Sequence, residues 1–69
     1  MNVELSFTLS SGTYTNTTVF ASFDECKQRM MVLLESDDDS IAFEGPGQTV
    51  TVLASRHIVG VTMTAAGEQ

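Results

Sequence analysis

Residues 22–35 read SFDECKQRMMVLLE and predict one amphipathic helix. Ser22 and Glu25 form a capping box, in which the Ser22 hydroxyl accepts a hydrogen bond from the Glu25 amide and the Glu25 carboxylate reaches back. Apolar residues then recur at helical spacing within one stripe of about 100°. The stripe consists of Phe23, Cys26, Met30, Leu33 and Leu34. The helix therefore has one face to bury against a sheet.

Val32 departs from this pattern, because it projects about 180° from Phe23 into the polar face. Two interpretations of Val32 stay open. A single exposed valine is common on protein surfaces and requires no function. Alternatively, Val32 marks a second contact surface on the helix.

Two strands are predicted before the helix. The first alternates apolar and polar residues, a period of two that places its apolar side chains on one face. This face consists of Val3, Leu5, Phe7 and Leu9. Residues 10–13 form a turn, and residues 13–21 return as a second strand rich in β-branched side chains.

Three shorter strands are predicted after the helix, at residues 41–44, 49–54 and 58–64, followed by a tail at 65–69. The alternation assigns Val50 and Val52 to the inward face of the fourth strand. It likewise assigns Val59, Val61 and Met63 to the inward face of the fifth strand.

Three apolar residues have the opposite parity to the assigned inward residues of their strands. They are Tyr14, Leu53 and Ile58. We therefore predict that they lie on the sheet face that the helix leaves uncovered, or at its rim. Together with Val32, they form the candidate interaction surface.

The order of elements predicts an α+β fold, with one domain over residues 1–69 and the order β-β-α-β-β-β. Connections of two to five residues favour a mostly antiparallel sheet with the helix packed on one face. The other face is expected to be exposed to solvent or covered by another subunit.

The charge balance bounds the class of partner. Nine acidic residues stand against three cations, for a net charge of −6. Three scattered cations do not form a track for nucleic acid, so an acidic surface favours solubility or a basic protein partner. The longest apolar run, residues 30–34, is too short to span a membrane. With no signal-like start and one unpaired cysteine, we expect a cytoplasmic protein.

No residues with the spacing of a catalytic or metal site are found. Cys26 lies on the helix stripe and is interpreted as a core residue. His57 lies in a turn and is interpreted as having a structural or neutral role rather than that of a general base. The aspartates at 37–39 are consecutive rather than spaced as calcium ligands, and residues 45–47 (Gly-Pro-Gly) lack the rest of a phosphate loop. We expect no enzymatic activity, cofactor or metal.

The second half of the chain resembles a pattern in small uncharacterised bacterial and phage proteins. The resemblance runs from the helix through residues 41–43 (Ile-Ala-Phe) to residues 55–61 (SRHIVGV), where a short turn precedes a His-Ile-Val-x-Val strand. It implies a compact α+β accessory protein and identifies no site.

These features favour a non-enzymatic binding module that acts through protein–protein contacts. A chain of 69 residues has a small core, and without a disulfide or a metal this core provides little stability. Such a chain favours a homodimer or small homo-oligomer. The alternative is a structural component of a larger, phage-like assembly that packs through its strand edges.

Overall fold

The computed structural model describes residues 1–66 and shows an α+β fold with the predicted order of elements. The elements are β1 (Asn2–Leu9), β2 (Gly12–Val19), α1 (Phe23–Glu35), β3 (Ser40–Glu44), β4 (Val50–Ala54) and β5 (Ile58–Ala66), with a 3-10 turn at Ser55–His57 between the last two strands. Ala65 and Ala66, predicted as tail, extend β5. The rest of the predicted tail, 67–69, lies outside the described residues.

The strands form two antiparallel sheets rather than the single sheet that the sequence predicts. One sheet has the order β2-β1-β5, and the other is the β3–β4 hairpin. Strand β1 already pairs with β2 on one side and with β5 on the other. The hairpin pairs with neither β2 nor β5, the edges of this sheet, and instead packs across it through contacts such as Phe43 with Phe7.

The predicted capping box is present at the start of α1. The Ser22 hydroxyl accepts a hydrogen bond from the Glu25 amide at 3.1 Å. Glu25 reaches back one residue further than expected, where its Oε1 accepts from the Ala21 amide at 2.7 Å. The helix ends at Glu35, before the aspartates at 37–39.

The core lies between one face of the three-stranded sheet and a layer made of α1 and the hairpin. The sheet contributes the predicted apolar residues of β1, and α1 contributes Cys26, Met30 and Leu33. Phe43 joins the hairpin to the sheet, because its ring centroid lies 5.6 Å from that of Phe7 and 5.6 Å from that of Tyr14.

The inward face of β4 is opposite to the predicted one. Leu53 is only 7% exposed, whereas Val52 is 61% exposed. Leu53 pairs with Ile41, and directly opposed residues share a face of the sheet. Since Ile41 packs against the core, Leu53 does so too. The prediction that Leu53 lies on the uncovered face is wrong.

A β-bulge explains why the prediction for Ile58 is also wrong. Leu9 pairs with Ile58 while Thr8 pairs with Gly60, so Val59 is an extra residue on β5. One extra residue reverses the side-chain parity beyond it. Ile58 is therefore 9% exposed and Val59, which was assigned inward, is 75% exposed.

Tyr14 also lies on the covered face, contrary to the prediction. It pairs with Phe7 across β1 and β2, and the two ring centroids are 6.4 Å apart. Its hydroxyl accepts a hydrogen bond from Asn16 Nδ2 at 2.9 Å. The ring is half-buried because it packs against the core cluster at an edge strand.

The opposite face of the three-stranded sheet is largely polar. It carries Glu4, Ser6, Thr8, Thr13, Thr15, Thr17, Thr62 and Thr64, which the register places in adjacent rows. Hydroxyl and carboxylate groups of this kind are compatible with water. Tyr14, Leu53 and Ile58, which were expected to form an apolar interaction surface on the uncovered face, instead pack with the core.

Candidate functional site

A groove of about 530 Å³ lies between α1 and β3. Its helix wall includes Gln28, Arg29 and Val32, and its strand wall consists of residues 39–43. No residue of β4 lines it. The groove therefore runs along the edge of β3 that β4 does not occupy.

The floor of the groove is apolar. Buried side chains from three elements line it: Phe20 after β2, Met30 and Leu33 from α1, and Phe43 from β3. The Phe20 backbone is held in place because its amide donates to the Met1 carbonyl at 2.8 Å. Methionine, leucine and phenylalanine side chains on the floor can pack against an apolar group that enters the groove.

Val32 lies on the wall of this groove with 59% of its surface exposed. It is flanked on the helix by Met31, which is similarly exposed at 55% but does not line the groove. Of the four residues predicted to form an interaction surface, only Val32 lines the groove. The structure does not bring Val32 together with Leu53, Ile58 and Tyr14.

Charge around the groove is mainly acidic. Asp39 lines it, Asp37 and Asp38 precede Asp39 on an exposed loop, and Glu44 ends β3. The cation on the wall is Arg29, whose guanidinium lies 4.0 Å from the Glu25 carboxylate. Both ends of the β3 edge therefore carry negative charge.

Ser55 connects the end of α1 to the start of β3, the two elements that form the walls of the groove. Its amide donates to the Asp39 carbonyl at 2.9 Å, and its hydroxyl donates to the Ser36 carbonyl. Ser36 caps the end of α1 and Asp39 precedes β3. Ser55 is buried, so it fixes the loop that sets the helix and the strand apart.

A second, smaller depression of about 380 Å³ lies between β4 and the β1–β2 turn. Leu53 contributes to it, together with Leu9, Ser10 and the exposed His57. His57 has its backbone carbonyl bonded to the Ser10 amide at 3.3 Å. No carboxylate lines this depression, so no acid orients the imidazole there.

Cys26 is fully buried in the core, as predicted. Burial raises the pKa of its thiol, and the neighbouring Glu25 carboxylate raises this pKa further. Both effects disfavour the thiolate, which is the reactive form. Within residues 1–66, no group of three or more His, Cys, Asp or Glu side chains is arranged to hold a metal ion.

The helix in the described part of the chain is too short and too polar to cross a membrane. Comparisons with protein-family models, with curated proteins and with solved structures found no match to this chain.

Proposed function

We propose that this chain is a non-enzymatic interaction module that holds an apolar, basic segment of a partner protein in the α1–β3 groove. The observation that carries the proposal is the apolar floor of the groove, which lies between an unoccupied strand edge and a helix. Its volume of about 530 Å³ is within the usual range for binding clefts.

Charge indicates what kind of segment fits. The groove is lined by Asp39 and by Arg29, which lies close to Glu25; Glu44 ends the adjacent strand, and the whole chain has a net charge of −6. A partner with lysine or arginine beside its apolar residues gains from this field. Nucleic acid is disfavoured for the same reason, since its phosphates are repelled. An unpaired, buried Cys26 suits a reducing compartment, so we place the module in the cytoplasm.

A heptapeptide of alternating lysine and valine tests the proposal, with binding measured by fluorescence anisotropy at low salt. We expect saturable binding, and we expect Val32→Glu to weaken it by about tenfold because a carboxylate is brought beside the apolar floor. Val32 is exposed, so this substitution leaves the fold intact.

Met31→Glu is the matched control. It adds the same charge at the next residue of α1, at a similarly exposed position outside the groove. We expect it to leave binding unchanged or slightly stronger. A heptapeptide of lysine and serine reports attraction by charge alone. No saturable binding, or equal effects of the two variants, would overturn the proposal.

Self-association through β2 is a second proposed property of the module. This edge strand has eight residues and no charged side chain, proline or lysine, so nothing discourages it from pairing with another strand. The other edge of that sheet, β5, has a bulge at Val59, and bulges twist an edge away from pairing. An antiparallel β2–β2 contact between two copies gives a symmetric dimer.

The alternative function, a structural component of a larger phage-like assembly, requires β2 of one copy to pair with β5 of the next. Such a head-to-tail contact generates an open chain rather than a dimer. Sedimentation of Thr15→Lys and Thr62→Lys separates the two cases. A dimer through β2 is lost only in Thr15→Lys, whereas an open assembly is shortened by either substitution. A monomer at high concentration excludes both.

A further inference from the structure

The open edge of β3 presents a defined set of backbone groups to the groove. Two hydrogen bonds at the ends of the β3–β4 hairpin establish which groups these are. The Gly45 amide donates to the Thr49 carbonyl at 2.8 Å, and the Ser55 amide donates to the Asp39 carbonyl at 2.9 Å. Both pairs continue the register in which Ile41 lies opposite Leu53.

In an antiparallel ladder, hydrogen-bonded pairs alternate with pairs whose amides and carbonyls point outward. Because Asp39 and Gly45 bond toward β4, so do Ile41 and Phe43 between them. The alternate residues of β3 therefore point their amides and carbonyls away from β4. These residues are Ser40, Ala42 and Glu44.

The free backbone groups face the groove. Residues 39–43 line it as a continuous run. The run includes side chains from both faces of the strand, so the groove borders the edge of β3 rather than one of its faces. Of the three outward amides, that of Ser40 already donates to Asp39 Oδ1 at 3.3 Å. Ala42, at the centre of the edge, has no such local acceptor among the hydrogen bonds of the described residues.

We infer that the partner segment binds as an added β-strand, hydrogen-bonded to β3 at Ala42 and lying between β3 and α1. This inference rests on the proposed function and specifies how the same groove is used. An extended segment beside β3 directs alternate side chains toward the floor and toward solvent. Main-chain bonds then supply affinity, and the floor selects apolar residues at every second position.

A second copy of this chain is a poor occupant of the β3 edge. Antiparallel pairing of two β3 strands about Ala42 places Glu44 opposite Ser40 of the other copy, next to its Asp39. The acidic ends of the two strands are thereby brought close together, which is unfavourable for like charges, and each copy has a net charge of −6. The same acidic ends attract a segment with lysine or arginine at its solvent-facing positions.

Ala42→Pro tests the inference with the lysine–valine heptapeptide. Proline removes the central edge amide and is tolerated on an edge strand when that amide points away from the sheet. We expect binding to weaken by at least about tenfold, since a main-chain bond and close approach are both lost.

Val52→Pro is the matched control for this experiment. Val52 lies directly opposite Ala42, and by the same alternation its amide points to the other edge of the hairpin. We expect it to retain binding. If Ala42→Pro binds the peptide as the unsubstituted protein does while Val32→Glu does not, the groove is used without strand addition and this inference fails alone.

Amide hydrogen exchange of the unsubstituted protein gives an independent result that does not depend on how the variants fold. We expect the peptide to slow exchange at Ala42 and Glu44, and to change exchange little at Ile41 and Phe43, whose amides already bond to β4. Unchanged exchange at Ala42 and Glu44 in the saturated complex would overturn strand addition.

Discussion

Strands β2 and β3 are both edge strands, but their charges differ. Strand β2 has eight residues and none is charged, whereas β3 has five residues with Glu44 at one end and Asp39 just before the other. Strand β2 contributes Thr18 to the groove and otherwise borders a largely polar sheet face, while residues 40–43 of β3 border the apolar floor. This difference supports the proposal that the two edges take different strands: a second copy at β2, and a basic partner at β3.

The largest expected effect concerns the orientation of the hairpin that presents the β3 edge. Leu53→Asp places a carboxylate in the core, and we expect it to cost at least about 4 kcal/mol and to unfold the protein. Val52→Asp, one residue earlier and exposed, should change the free energy of unfolding by less than about 0.5 kcal/mol. Urea unfolding followed by circular dichroism measures both. A stable Leu53→Asp variant would show that the hairpin packs with its other face inward.

Side-chain periodicity within single elements predicted the inward face of β1 and, except for the exposed Leu34, that of the helix. It failed for β4 and for the start of β5, although Val61 and Met63 pack against the core as assigned. In β1, every second residue is apolar and the others are polar, so there is one reasonable inward face. In β4, both parities contain apolar residues, and pairing with Ile41 decides between them. The bulge at Val59 reverses the parity of β5. Pairing and bulges are tertiary features that a single strand does not encode.

The groove could be predicted only in part, through Val32. An exposed valine opposite the buried stripe of α1 was a signal, although it did not indicate what lay beside it. The strand wall was not predictable, because it depends on β3 lying across the sheet rather than within it. Ser55 gave no signal at all, since a serine after a strand is typical of any turn.

The next effect concerns Ser55, which fixes the distance between the walls of the groove. We expect Ser55→Ala to lower the free energy of unfolding by about 1–2 kcal/mol, because the partly buried Ser36 carbonyl loses its donor. Peptide affinity at the β3 edge should fall, while dimerisation through β2 should not. Ser36→Ala is the control, since it retains the carbonyl that Ser55 bonds and removes only the exposed hydrogen bond from the Asp38 amide to the Ser36 hydroxyl. Equal effects of the two substitutions would contradict the role assigned to Ser55.

A smaller effect is expected from reversing the charge at the end of β3. Glu44→Lys should weaken binding of the lysine–valine peptide by about threefold to fivefold, because an attraction becomes a repulsion across a solvated edge. Glu4→Lys makes the same change in net charge on the polar face of the three-stranded sheet. It should alter affinity less. Similar losses in both variants would mean that net charge, rather than the β3 edge, attracts the peptide.

The smallest expected effect is a pH dependence of the free energy of unfolding that arises from Cys26. Because Cys26 lies on the buried face of α1, this dependence tests whether α1 stays packed against the core. Burial, and then Glu25, raises the pKa of the Cys26 thiol in the folded protein, whereas the unfolded thiol titrates near its ordinary value of about 8.5. Below that pH both states hold the proton, and the thiol adds no pH dependence. As the pH rises further, the unfolded chain loses its proton first and is favoured, so stability falls until the folded thiol also ionises. Urea titrations between about pH 8 and pH 10 should show this decline, and Cys26→Ala should lack this part of it.

Labelling of the Cys26 thiol tests the same packing directly. It should be slow in the native protein at pH 8 and fast in urea, with or without bound peptide. Rapid labelling of the free protein that the peptide suppresses would instead place Cys26 in the open part of the groove, and the helix wall would not be the fixed one described above.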